Sequence, residues 1–405
     1  MTMLRQLMRD SSASAIVAGA IATLISFAGP LVIVFQAASG LAPGLLDSWV
    51  WAISIGSGVL GIMLSLKYRV PVVVAWSAPG SALLVTLLPT VDFAAAVGAY
   101  LVASIILLLV GLSGAFDKLV SRLPVGISAA MLAGILFRFT VDMVNVVPDA
   151  PVMVLSMFAF FFAGRRWFPR YAVAAVLLVG LGLTLATGQM GEVRFSLAPT
   201  VPVWTMPVFE WQAMANIAVP LVVVSLTGQF LPGVAVLRTA GYEKPAAGPI
   251  ITGCALGSAA LAPFGCHGLN LAALTAAICM GAEAHEKPER RYVAGVVGGV
   301  LYLVFGTFAA TVLGLFALLP PALIATLAGL ALFPVVAGSL AQAVQKTHER
   351  DAALMTFIVS ASGLSLLGLG AAFWGLVFGL LVHTILALHP RLAIWSRNMT
   401  PEQAE

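Results

Sequence analysis

The sequence predicts an all-α polytopic membrane protein. It has fourteen transmembrane segments in two inverted seven-span repeats, with short strands preceding half-helices in spans 3 and 10. Three observations carry this. First, the 405 residues are 61% hydrophobic and 9% charged, with mean hydropathy +1.06, whereas a soluble chain has about 25% charged residues. Second, the basic residues collect in alternate loops between apolar runs. Third, the second half repeats landmarks of the first. The composition excludes a soluble globular enzyme, for want of charge to cover its surface, and a disordered chain, which needs low hydrophobicity. Apolar runs unbroken over about 20 residues exclude an outer-membrane barrel, whose strands alternate. The net charge of +4 belongs to loops and reads as topology, not as a nucleic-acid surface.

The spans fall at 14–37, 46–66, 71–89, 93–113, 124–143, 150–165, 170–187, 211–235, 246–260, 261–281, 292–317, 321–340, 352–368 and 371–388. The first follows Arg5 and Arg9 and is too long for the apolar core of a signal peptide. Several are shorter than the usual ~20 residues, and hydropathy alone returns as few as twelve. Charge decides the count. With the N-terminus cytoplasmic, Lys67, Arg69, Lys118, Arg122, Arg165, Arg166, Arg170, Arg238, Lys244, Lys287, Arg290, Arg291, Lys346, Arg350, Arg391 and Arg397 all fall inside. Only Arg194 lies in an outer loop, while Asp47, Asp92, Asp142, Asp149, Glu192 and Glu210 lie at or near the outer side. One span more or fewer breaks the positive-inside pattern.

Leu132-Ala133-Gly134 returns as Leu327-Ala328-Gly329, an offset of 195, and Gly111 returns as Gly306 at the same offset. Two halves of seven spans follow, 1–191 and 211–390, joined by the outer stretch 192–210 and followed by a cytoplasmic tail, 391–405. An odd number of spans per half forces the second to insert upside down, as in many secondary transporters.

Two spans are broken. Pro71-Val72-Val73-Val74-Ala75-Trp76 favours extended backbone. Ser77 then suits a helix N-cap and Pro79 the first turn. Strand plus half-helix spans a ~30 Å core, so the helix starts near mid-depth. Span 10 mirrors it, with 261–266 extended or irregular and 269–278 helical. Two facing helix N-termini, with free N–H groups and partial positive charge, would make an anion site without a buried Arg or Lys. Gly-Pro kinks of an ordinary helix are the plainer reading of either break alone.

These stretches, Ala75-Trp76-Ser77-Ala78-Pro79-Gly80-Ser81-Ala82-Leu83-Leu84 and Gly265-Cys266-His267-Gly268-Leu269-Asn270 through Gly281, resemble the signatures of the BenE-type benzoate:proton symporters. That family is in turn similar to the uracil and xanthine permeases. The resemblance implies a core of spans 1–4 and 8–11, a gate of spans 5–7 and 12–14, and strands in spans 3 and 10 before half-helices at the substrate. Nucleobase permeases usually place acids near Gln229 and Leu269. Their absence here fits an anionic ligand.

The candidate substrate residues are Ser77, Gly80 and Ser81 on one half-helix; Gly268, Leu269 and Asn270 opposite; Thr227 and Gln229 in span 8; and the aromatics Phe27, Trp76, Phe230 and Phe264. For each a packing or capping role is the plainer alternative. His267 is the titratable side chain at the break and the candidate proton carrier, unless it simply donates to backbone. His383 in span 14 is less well placed. Arg138 and Asp142, four apart in span 5, pair structurally. Gly295 and Gly299, and Gly375 and Gly379, read as close-packing points. The spacing of Cys254, Cys266 and Cys279 suits neither zinc nor a redox pair.

The expected function is secondary active import of an aromatic carboxylate, benzoate by resemblance, together with protons by alternating access. The alternatives are another small organic anion or a nucleobase as substrate, or a passive anion channel. No cofactor, metal or nucleic acid is expected, and the chain is not read as an enzyme. The expected surroundings are a bacterial inner membrane with both termini cytoplasmic, and a homodimer is left open.

Overall fold

The computed structural model describes residues 3–42, 44–118, 124–188, 197–367 and 369–397. Arg122, Glu192, Arg194 and the tail beyond 397 lie outside them. The short helix α1 (Met3–Asp10) precedes α2 (Ala13–Ala28), which Ser12 caps through the Ala15 N–H at 3.1 Å. Gly29 and Pro30 break the first span, which resumes as α3 (Pro30–Ala37). Then come α4 (Leu45–Tyr68), β1 (Val74–Trp76), α5 (Ala78–Leu87), α6 (Phe93–Ser113), α7 (Val125–Asn145), α8 (Pro151–Trp167) and α9 (Ala172–Ala186).

The second half runs α10 (Trp211–Thr239), α11 (Ala247–Leu261), β2 (Leu269–Leu271) and α12 (Leu274–Met280). It continues with α13 (Tyr292–Thr307), α14 (Ala309–Ala317), α15 (Pro321–Ala343), α16 (Arg350–Ala361) and α17 (Ala371–Arg397). Among the described residues seven helices are long and apolar enough to cross a membrane, and an eighth crossing forms if the α13–α14 pair, bent by 75°, counts as one span. The fourteen spans of the sequence reading include pieces too short for that measure. Spans 3 and 10 are part strand, and α9 has 15 residues and α16 has 12.

The break in span 3 forms where expected. The break in span 10 is displaced. Of the two readings of 261–266, extended or irregular, the irregular one holds: α11 runs to Leu261 and a 3₁₀ turn covers Ala262–Phe264. The strand is Leu269–Leu271, and the helix starts at Leu274 rather than Leu269. The reason is pairing. β1 and β2 are antiparallel, with Val74 opposite Leu271, Ala75 opposite Asn270 and Trp76 opposite Leu269. The Ala272 N–H adds a bond to the Val73 carbonyl at 2.9 Å. A lone strand at membrane depth would leave backbone groups unpaired, and here each supplies the other.

Helices pack in two sets. α4 packs on α13, α6 on α11, α2 on α13 and α12, and α3 on α5. Separately, α7 packs on α15, α16 and α17, α8 on α9, and α16 on α17. Glycine permits the close approaches: a Cβ at Gly58 would lie 2.7 Å from the Gly299 carbonyl, and one at Gly299 2.9 Å from that of Gly58. Gly295 meets Ser65, and Gly375 and Gly379 meet Ser360 and Thr356, so all four glycines singled out in the sequence stand at tight contacts. Arg138 and Asp142 form a loose exposed pair at 4.0 Å. All three cysteines are buried and free.

Each set is tied at one end by a buried carboxylate. Asp10 accepts from the Tyr292 hydroxyl at 3.0 Å and pairs with Arg69 and Arg290 at 3.4 and 3.5 Å. Glu349 accepts the Gly126 N–H at 2.8 Å and the Lys346 ammonium at 3.1 Å. Burial pushes the Glu349 carboxyl up, but the Gly126 N–H, Lys346 and His348 together hold it below its ordinary value. A carboxylate lowered by folding stabilises fully above its unfolded pKa of about 4.3. That stabilisation is lost as pH falls through the lower folded value. Glu349→Gln is therefore expected to lower the thermal midpoint at neutral pH and to matter progressively less in acid, as pH falls through the lowered folded value. An equal deficit in both conditions, read by thermal unfolding in detergent, contradicts this.

Candidate functional site

The site is built around the strand crossing. Residues directly opposite in an antiparallel pair share a face, so the Asn270 side chain lies on the face of Ala75, a residue that leaves room beside it. Asn270 is 1% exposed, yet neither its Oδ1 nor its Nδ2 has a hydrogen-bond partner. Buried polar side chains are nearly always paired, and leaving one unpaired costs about 1–3 kcal/mol.

Partly accessible residues lie beside the strand pair in the chain. Ala75 and Ala78 flank buried Trp76 and Ser77 and are themselves partly accessible, as are Ala272 and Ala273 after β2. In span 8, Thr227, Gly228 and Gln229 are partly accessible between buried Leu226 and Phe230. That stretch, Ser225–Phe230, is a π-helical turn packed on β2, and a second lies at Met214–Ala218. Such turns often mark functional sites. A cavity of about 500 Å³ reaches Thr227, Gly228 and Ala273, with Leu132, Ser128 and Gln342 on its far wall. Ser128 contributes another buried hydroxyl without a partner. At the other end of these helices a cavity of about 650 Å³ is lined by Thr86, Asp92, Arg138, Glu210, Asn216 and Ser360. Both volumes fall in the range of small-molecule sites.

At the half-helix N-terminus of α5 two of the N–H groups expected to face an anion are bonded to the Ser77 cap. Ser77 caps it by accepting the Gly80 N–H at 3.0 Å, and the Ser81 N–H bonds the Ser77 carbonyl at 2.8 Å. Pro79 has no N–H to give. Ser77, Gly80 and Ser81 are thus bonded among themselves. Gly268 and Leu269 are likewise not at a helix start. The Leu269 N–H donates to Ser258 Oγ at 2.8 Å, and the space beside its side chain is the close approach of Gly56 and Gly257.

His267 joins the two breaks. Gly265 and Gly268 have φ of +99° and +147°, values that side-chain-bearing residues avoid, and the tight loop between them points His267 at span 3. Its Nδ1 accepts the Trp49 indole N–H at 2.9 Å; its Nε2 lies 3.0 Å from Ser81 Oγ and 3.1 Å from the Ser77 carbonyl. An indole N–H only donates, so Nδ1 carries no proton and Nε2–H donates to Ser77 and Ser81. Both nitrogens are occupied, and a second proton would cost the Trp49 bond. The geometry therefore favours a neutral clamp over the expected proton carrier.

Phe27 and Trp76 meet edge-on at 5.4 Å in a cluster with Tyr302 and Phe305. Phe264 is elsewhere, stacked edgewise on Trp51 and Trp204. Phe230 is fully buried. Thr227 bonds the Val223 carbonyl of its own helix at 2.8 Å. His383 is half-buried on α17. Sequence reasoning missed Trp49, Ser258, Ser128 and the accessible alanines. Only tertiary pairing gives them roles, and no local pattern signals them.

A family model described as benzoate membrane transport protein, BenE, matches residues 9–385. The benzoate membrane transport protein of Acinetobacter baylyi is 45% identical over 387 residues, covering 95% of this chain and 98% of that one. Inner membrane protein YdcO of Escherichia coli is 38% identical over 375 residues, 92% of this chain and 96% of that one. Among solved structures, SLC26A9 aligns with TM-score 0.62 at 14% identity, over 93% of this chain and 65% of its own. The transmembrane domain of the cyanobacterial bicarbonate transporter BicA aligns with TM-score 0.56 at 17% identity, over 93% and 97%. The fold is like that of SLC26A9 and BicA, in place of the uracil and xanthine permeases expected from sequence.

Proposed function

We propose, because the chain belongs to the BenE family of benzoate membrane transport proteins, that it imports benzoate together with protons by alternating access. The chain is a multi-pass membrane transporter and not an enzyme. The site is the strand crossing, with Asn270 as the polar anchor and Ala75, Ala78, Thr227, Gln229 and Ala273 around the ring. The unpaired amide of Asn270 carries the reading, because a ligand is the simplest partner for a buried group the fold leaves open.

Fourteen spans in two inverted repeats, with a core of spans 1–4 and 8–11 and a gate of spans 5–7 and 12–14, complete the proposal. Two observations support it. Ala75 and Asn270, the central strand pair, are 195 apart, the offset of the Leu-Ala-Gly repeat. A two-fold relating the halves would pass between them. The packing also survives a shift of seven spans: 2 on 11 becomes 9 on 4, 1 on 11 becomes 8 on 4, and 6 on 7 becomes 13 on 14, and all these pairs occur. One cavity reaches Thr227 of α10 and Ala273, and the other reaches Asn216 at the opposite end of α10; alternating access needs an opening at each end. A bacterial inner membrane with cytoplasmic termini is the proposed setting.

The test is uptake of labelled benzoate into liposomes holding the purified protein, with and without an outside-acid proton gradient. Accumulation above equilibrium is the expected result. Equilibration alone indicates a channel or uniporter, and no uptake removes benzoate as substrate. Competition by uracil and by other small anions reads the substrate range.

A further inference from the structure

We infer that the protein binds its substrate as the neutral carboxylic acid, paired through two hydrogen bonds with the Asn270 amide, so that the co-transported proton travels on the substrate. This rests on the benzoate reading above. A primary amide presents an acceptor and a donor side by side, and a carboxylic acid presents the complementary pair. A carboxylate only accepts. It would satisfy Nδ2 and set its lone pairs against Oδ1. Both Asn270 atoms are unpartnered, and a ligand that closes both must donate and accept.

The surroundings agree. Among the described residues the buried carboxylates are Asp10 and Glu349, each in an ion pair at a helix end, and no Lys or Arg is buried. The elements packed on β2 are β1, α4, α11 and the π turn Ser225–Phe230. Their titratable side chains are Cys254 on α11 and Asp47, Lys67 and Tyr68 at the two ends of α4, with Cys266 and His267 in the preceding loop. None offers a cation to an anion at the crossing, where an unpaired charge is costly and a titratable group neutralises instead. The α5 N–H groups at Gly80 and Ser81 are used, and His267 has both nitrogens engaged.

The proton balance closes without a carrier side chain. Benzoate takes one proton from the entry-side solution, forming the O–H bond. The neutral acid crosses bound to the amide. The O–H bond breaks in the exit-side solution, returning one proton for each benzoate.

The test is equilibrium binding of labelled benzoate to the purified protein between pH 5 and 8, with benzamide and benzenesulfonate as competitors. If only the acid binds, apparent Kd rises about tenfold per pH unit above the acid's own pKa, as the competent fraction falls. The same slope is expected in His267→Gln. Benzamide, with the same donor–acceptor pair and no titration, competes equally at every pH, and benzenesulfonate does not compete. A flat pH profile, a slope lost in His267→Gln, or competition by the sulfonate but not the amide overturns the inference while leaving benzoate as substrate. Absence of benzoate binding at every pH overturns the benzoate reading itself.

Discussion

Asn270→Leu weakens benzoate binding by a factor on the order of a hundred and leaves the empty protein at least as stable as the parent. Leucine keeps the branching of asparagine at Cγ, though its two methyl groups are bulkier, and removes the two side-chain atoms that the fold leaves unpaired. Each such buried atom costs about 1–3 kcal/mol, so the thermal midpoint in detergent stays level or rises. Binding loses both hydrogen bonds and strands the ligand's carboxyl in an apolar pocket. A loss of about 3 kcal/mol is a factor on the order of a hundred in Kd. Labelled-benzoate binding and thermal unfolding of the same preparation read the two effects together. Weaker stability with binding intact would assign Asn270 to the fold instead.

Gly299→Val prevents assembly of the helix pair on which the strands rest. A Cβ at 299 would stand 2.6 Å from Ile62 Cγ1, 2.9 Å from the Gly58 carbonyl and 3.2 Å from the Ile62 backbone nitrogen. Two of these are backbone atoms that cannot swing aside. Overpacking usually costs about 1–3 kcal/mol and sometimes more, and two opposed backbones put this site at the upper end. The expected outcome is loss of monodisperse protein on size-exclusion chromatography. Gly314→Ala, with nothing within 4 Å of its added carbon, should elute as the parent does. A well-behaved Gly299→Val protein with unchanged thermal midpoint would contradict the packing account.

The parts of this molecule that were readable in sequence are those whose causes are local. Pro71, the valine run, Ser77 and Pro79 lie within nine residues and specify the strand, cap and half-helix of span 3, which form at Val74–Trp76 and Ala78–Leu87. The strand of span 10 was misplaced because its cause is remote. Leu269-Asn270-Leu271 has no β-branched residue, and its conformation is imposed by β1, some two hundred residues away in the chain. The same distance hid the Trp49 bond to His267, without which that histidine reads as a free proton carrier. The π turns of α10 carry no local signature that periodicity detects. Asn270 was legible as a polar residue at a break, but its unpaired state was not, and that state is what gives it chemistry.

The central claim is that benzoate lies at the crossing of β1 and β2 with its carboxyl on Asn270. The most direct measurement is the anomalous difference density of 4-iodobenzoate bound to the crystalline protein. The account predicts one iodine peak near Ala273 and Gly228, with the carboxyl density meeting the Asn270 amide. An iodine peak confined to the cavity lined by Arg138, or a bound ring whose carboxyl meets Gly80 and Ser81 while Asn270 stays unpaired, would contradict it.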